Sequence, residues 1–199
     1  MNISAQMVKE LRTKTSAGMM DCKKALKATD GDIEKAIEYL RKKGMDAAST
    51  KLNRKALNGI VGSYIHLYGK IGVLVEINCE TDFVANTEEF KEFVKNVAMQ
   101  IAASSPKFIT REDVPNDIIE KEKEIFYAQV EKSGKPAPII EKIVGGKLEK
   151  YFKENCLKEQ VFIRDNSKNI NQLLLELIAK LGENIVIKRF ARFQLGEEI

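Results

Sequence analysis

Between residues 71 and 103 the hydrophobic period of the chain changes from two to that of a helix, and this change limits its folds more than any other feature. Residues 71–79, IGVLVEINC, place Ile71, Val73, Val75, Ile77 and Cys79 at every second position. That is the alternation of a strand buried on one face. FKEFVKNVAMQIAA, further on, groups its apolar residues at helical spacing, and a long helix is expected from about 87 to 103. Between them lies the polar connection CETDFVANTEE, with a Phe and a Val inside it.

The same reasoning extends in both directions. Upstream, GIVGSYIHLY is a second apolar segment, and Gly69-Lys70 predicts a hairpin joining it to 71–79. Downstream, helices are expected over EDVPNDIIEKEKEIFYAQVEKSGKP, with stops at Gly134 and Pro136, over Ala137 to about Asn155, and over 170–181. Gly145-Gly146 inside the third of these costs about 1 kcal/mol per Gly against Ala, which allows a bend or a weak point there. NIVIKRFARFQL reads as a last strand. Strands at both ends of a run of helices make an α+β domain with a small antiparallel sheet packed against helices.

The first forty-odd residues differ, reading as three short helices. Ser4 is a candidate N-cap, with Met7, Val8 and Leu11 on one edge of the first. Met19, Cys22, Ala25 and Leu26 share a face of the second. Asp32 caps the third, whose stripe is Ile33, Ala36, Ile37 and Leu40. Three such helices bury little surface and form a marginal module. The expected organisation is a module over 1–45, a polar, basic linker or loosely docked helix over 46–56, and an α+β core over 57–199.

Composition narrows the chemistry. The 33 Lys and Arg are interleaved with 29 acids for a net charge of +4, and there is no Trp. A dedicated nucleic-acid surface would concentrate basic charge on one face, so no direct nucleic-acid partner is expected. Cys22, Cys79 and Cys156 are far apart and form no C-x-x-C pair, and the one histidine is His66. Reduced buried thiols and no metal site are the expectation. No apolar run approaches the roughly 20 residues of a membrane span. MNISAQMVKELRTK has no secretory apolar core. A cytoplasmic protein is expected. Phosphate-binding glycine motifs and nucleophile–base pairs are missing, so no cofactor is expected and binding is a better hypothesis than enzymatic chemistry.

Two residues look like contact points. Phe83 fits no hydrophobic staple: with Asn86 as N-cap the staple pair is Ala85 and Phe90, and with Thr87 as N-cap the preceding residue is Asn86. It either tucks under the sheet edge or stands out beside Asp82 as an aromatic anchor for another protein. Met20 lies off the apolar face of its helix among Lys23, Lys24 and Lys27. A flexible apolar side chain ringed by lysines suits an acidic amphipathic helix.

LRTKTSAGMMDCKKAL and CETDFVANTEEF, in combination, resemble the two signatures of the bacterial elongation factor Ts family. The resemblance continues through GKIGVLVEIN, SGKPAPIIEKIVGGKLEKYF and GENIVIKRFARFQLGE, in the family's short form with one core unit. Ser16, Gly145 and Val161 depart from the family's usual Gly, acid and Pro.

The resemblance implies a UBA-like N-terminal module, a core domain that serves dimerisation, and a homodimer. It implies a guanine-nucleotide exchange factor that converts no substrate and acts on the GTPase elongation factor Tu in translation elongation. Thr81, Asp82, Phe83 and Val84 would enter that partner near its Mg2+ site, and Met19, Met20 and Lys23 would grip a helix of its GTPase domain. His66 would touch another of its domains. Burying one Phe supplies about 1.5–3 kcal/mol, and a tenfold change in affinity takes about 1.4 kcal/mol. Phe83 alone then accounts for one or two decades of nucleotide affinity, and a second contact area is required. The rival classes are a plain adaptor, which tethers the partner without changing nucleotide release, and an RNA-binding translation protein suggested by the pI near 8.8.

Overall fold

A computed structural model describes residues 3–15, 17–131 and 136–197. Ser16 and the expected stop at Gly134 lie outside the described residues. The fold is α+β, and the chain divides into two compact units, Met1–Ile60 with Asn78–Phe93 and Leu173–Val186, and Val61–Ile77 with Val94–Gln172 and Ile187–Ile199.

In the first unit, α1 (Ala5–Thr15), α2 (Met19–Ala28) and α3 (Ile33–Ser49) enclose a small core of Val8, Leu11, Cys22, Ala25, Leu26, Ala36 and Leu40. The caps are those the sequence predicts. Ser4 Oγ accepts from Met7 N at 3.2 Å, and Asp32 Oδ1 accepts from Lys35 N at 3.0 Å. The α2–α3 turn takes left-handed backbone at Asp30 and Gly31, residue types that tolerate it. Helix α3 runs past its apolar stripe to Ser49, because Lys42, Lys43, Ala47 and Ala48 are ordinary or strong helix formers. At Gly44 it passes α8 (Ile170–Leu181) so closely that a Cβ would sit 3.3 Å from the Ala179 Cβ.

The strands β1 (Asn58–His66), β2 (Ile71–Cys79) and β5 (Ile185–Gln194) form one sheet in the order β1-β2-β5. The short β1–β2 connection can only serve an antiparallel pair. Along β2 and β5, Lys70 O accepts from Leu195 N, Glu76 meets Arg189, and Glu80 meets Asn184, the opposed running order of an antiparallel pair. Val73, Val75, Ile77 and Cys79 are buried as the alternation predicts, and Leu74 between them is exposed.

Helix α5 (Glu88–Ser104) packs on this sheet in the second unit. A Cβ on Gly62 would fall 2.2 Å from Val94 Cγ1, so that contact needs glycine. Thr87 is the N-cap of α5, its Oγ1 accepting from Phe90 N at 3.3 Å. Helix α6 (Asn116–Glu131) starts behind Pro115 after a 3-10 turn over Arg111–Asp113, since a proline has no N–H to extend a helix on its N-terminal side. Helix α7 (Ala137–Asn155) runs uninterrupted through Gly145-Gly146. The helix is not broken there: Val144, Tyr151 and Phe152 are buried on one side, and that packing offsets the local glycine penalty. A Cβ at Gly145 would meet nothing.

Arg111 pairs with Glu149 and Glu159 and lies 4.8 Å from the Phe152 ring centroid. Gln100 is fully buried, yet its amide reaches Ser104, Gln160 and the Val161 carbonyl and accepts from Ile163 N. A two-stranded ribbon of β3 (Val161–Phe162) and β4 (Asp165–Asn169) completes this unit.

Candidate partner-binding site

The connection after β2 is not a loose loop. Asp82–Ala85 forms α4, a single helical turn, and a helix this short does not persist by itself in water. Its order comes from caps. Thr81 is extended at its N-terminus and its Oγ1 accepts from Val84 N at 3.4 Å. At the other end Asn86 N and Nδ2 both donate to Asp82 O at 3.0 Å, and Thr87 Oγ1 donates to Val84 O at 2.7 Å. Val84 and Ala85 are buried and hold the turn from below.

Phe83 points the other way and is 82% exposed, beside an exposed Asp82. Of the two readings of Phe83, the tucked one is excluded. A large apolar side chain stands in solvent on a turn whose backbone is capped at both ends.

Two groups fixing the turn were not picked out from the sequence. Cys79 donates its thiol to Thr81 O at 3.0 Å. Burial, reinforced by the Glu183 charge, pushes this thiol above its ordinary pKa and keeps the donor protonated. Glu183 accepts from Thr81 Oγ1 at 2.6 Å, from Thr81 N at 3.0 Å and from Glu80 N at 3.1 Å. It lies 102 residues beyond Thr81, and no local pattern marks such a pairing.

Met19, Met20 and Lys23 lie together at the start of α2 in the same unit. Met20 is 64% exposed, among the exposed Lys23, Lys24 and Lys27. Met19, expected on the buried face with Cys22 and Leu26, is instead 60% exposed, because it is the first residue of the helix and lies beyond the edge of the small core. Both methionines are therefore available for contact. His66 belongs to the second unit, exposed at the end of β1, where its Nδ1 and the Tyr64 hydroxyl share a hydrogen bond of 3.0 Å.

Among the described residues no group of three His, Cys, Asp or Glu side chains could hold a metal ion, and no helix is long and apolar enough to cross a membrane. Cys156 is fully buried, and burial pushes its thiol up to about 11, so it is no nucleophile at neutral pH.

The sequence pattern of the family described as Elongation factor TS matches residues 2–197. The elongation factor Ts of Caldanaerobacter subterraneus subsp. tengcongensis is 64% identical over 197 residues, covering 99% of this chain and 98% of that one. That of Thermoanaerobacter sp. (strain X514) is 62% identical over 197 residues, 99% of this chain and 97% of its own. That of Carboxydothermus hydrogenoformans is 60% identical over 195 residues, 98% and 90% of the two chains.

Proposed function

Because the chain belongs to the elongation factor Ts family, whose members serve translation elongation, we propose that it is a guanine-nucleotide exchange factor. It binds elongation factor Tu carrying GDP and speeds GDP release in the cytoplasm, converting no substrate itself. The observation that carries this reading is Phe83, exposed on the capped turn of α4. Thr81 and Val84 frame the wedge, and Asp82 and Phe83 enter the partner near its Mg2+ and phosphate site. Exchange then follows from linkage: a protein that binds the empty GTPase more tightly than the loaded one weakens nucleotide binding by the same factor.

One buried Phe is worth about 1.5–3 kcal/mol, so anchoring elsewhere is part of the proposal. The UBA-like module over 1–45 supplies it through Met19, Met20 and Lys23, with 46–56 as its tether and 57–199 as the core that also carries His66. The homodimer would use the outer face of the sheet, where Val61, Ile65, Leu74 and Phe193 expose apolar side chains. Sedimentation equilibrium at micromolar concentration reads twice the chain mass if this is right and the single mass if it is wrong.

Stopped-flow release of a fluorescent GDP from elongation factor Tu tests the function. Release that accelerates with added protein supports exchange. Binding with unchanged release would leave an adaptor in its place.

A further inference from the structure

The turn that presents Phe83 depends on a residue far from it in sequence. We propose that Glu183 is a positioning residue for exchange: its carboxylate locks the Thr81 cap of α4 and so fixes the direction in which Phe83 stands. This rests on the exchange reading above and assigns to Glu183 a part in it.

The argument begins with what a single helical turn lacks. Four residues make too few internal hydrogen bonds to offset the backbone entropy of ordering them. Thr81 supplies the cap, but a threonine hydroxyl rotates freely unless its own proton is engaged. Glu183 Oε1 accepts that proton at 2.6 Å, which leaves the Thr81 oxygen lone pairs facing Val84 N. Glu183 Oε2 accepts from both Glu80 N and Thr81 N, the two amides at which the chain leaves β2. Hydrogen bonds to an ionised carboxylate are the stronger kind, and one side chain makes three of them.

Glu183 is itself held. Gly182 takes left-handed backbone (φ 81°) and closes α8 by donating to Ile178 O at 2.9 Å, a conformation that favours glycine. On the other side Asn184 is 1% exposed, its N donating to Glu80 Oε1 at 2.7 Å and its Nδ2 to the carbonyls of Leu52 and Arg54. The carboxylate therefore projects from a fixed backbone, and Phe83 inherits that rigidity two residues beyond Thr81.

The test compares Glu183→Ala and the milder Glu183→Gln with the unaltered chain. Two readouts are taken: amide hydrogen exchange at Glu80, Thr81 and Val84, and the concentration dependence of GDP release from elongation factor Tu. The expected result is at least tenfold faster exchange of those amides with the amides of α2 unchanged. The maximal release rate should fall three- to tenfold, the half-saturating concentration should stay within twofold, and Glu183→Gln should lie between. Unchanged amide protection in both variants overturns the clamp. A maximal rate that stays the same although the amides are loosened overturns the positioning role. Loss of protection across the whole first unit in Glu183→Gln as well would show a merely structural residue. If the unaltered chain fails to accelerate release, the exchange reading falls, and the amide data still decide whether Glu183 holds the turn.

Discussion

Two turns of this molecule expose a large aromatic side chain, and they are built in opposite ways. At the tip of the β1–β2 hairpin Tyr68 is fully exposed, and Leu67, Tyr68 and Gly69 all have positive φ, at 49°, 55° and 90°. This tip is closed by its own backbone: Gly69 N and Lys70 N donate to His66 O, and Lys70 N donates to Leu67 O. Left-handed backbone at two non-glycine residues is disfavoured by about 1–2 kcal/mol each, so the tip stores strain. At α4 the backbone is helical and unstrained, and residues outside the turn bind it, among them Cys79 and Glu183. Exposure is the same in kind at Phe83 and Tyr68. What separates the two turns is how many groups outside each fix the backbone beneath the exposed ring.

That contrast can be broken from either side. The largest effect on stability is expected for Thr81→Val, which keeps the shape but removes both the cap for Val84 and the proton given to Glu183. Urea unfolding should show a loss of about 1–2 kcal/mol. A loss below the error of the measurement would mean that the cap is idle.

Next comes pH. The Cys79 thiol has its pKa raised by burial first and by the Glu183 charge second. The folded chain therefore holds this proton more tightly than the unfolded one. The stabilisation is complete below the unfolded thiol's pKa of about 8.5 and is lost as pH rises through the higher folded value. Unfolding midpoints should fall over this alkaline range, and Cys79→Ala should flatten the fall. Equal slopes in the two proteins would contradict the assignment.

The smallest effect belongs to the hairpin. Leu67→Gly relieves a left-handed non-glycine residue while loosening the unfolded chain, and should gain up to about 1 kcal/mol. A clear loss by thermal unfolding would show that the exposed Leu67 side chain contributes to the fold.

The parts of this picture that are local in sequence were legible there. The alternation from Ile71 to Cys79, the helix over 170–181 and the caps Ser4 and Asp32 are each set by residues within a few positions of one another. The β3–β4 ribbon was not, because DNSKN has neither alternation nor apolar character and is paired only through its neighbours. Gly145-Gly146 left the course of α7 open in the sequence, since its buried side chains are set by tertiary packing that local propensity does not see. The candidate site divides along the same line. Phe83 drew notice because no staple register would absorb it, whereas Glu183 reaches Thr81 across 102 residues of chain and leaves no local trace.

The central claim is that Phe83, held ready on its turn, drives nucleotide release. The most direct measurement is stopped-flow release of fluorescent GDP from elongation factor Tu at saturating concentrations of the unaltered chain and of Phe83→Ala, with circular dichroism confirming that both are folded. Removing one buried Phe contact of about 1.5–3 kcal/mol predicts a maximal release rate lower by about ten- to a hundredfold. Equal maximal rates for the two folded proteins would contradict the account.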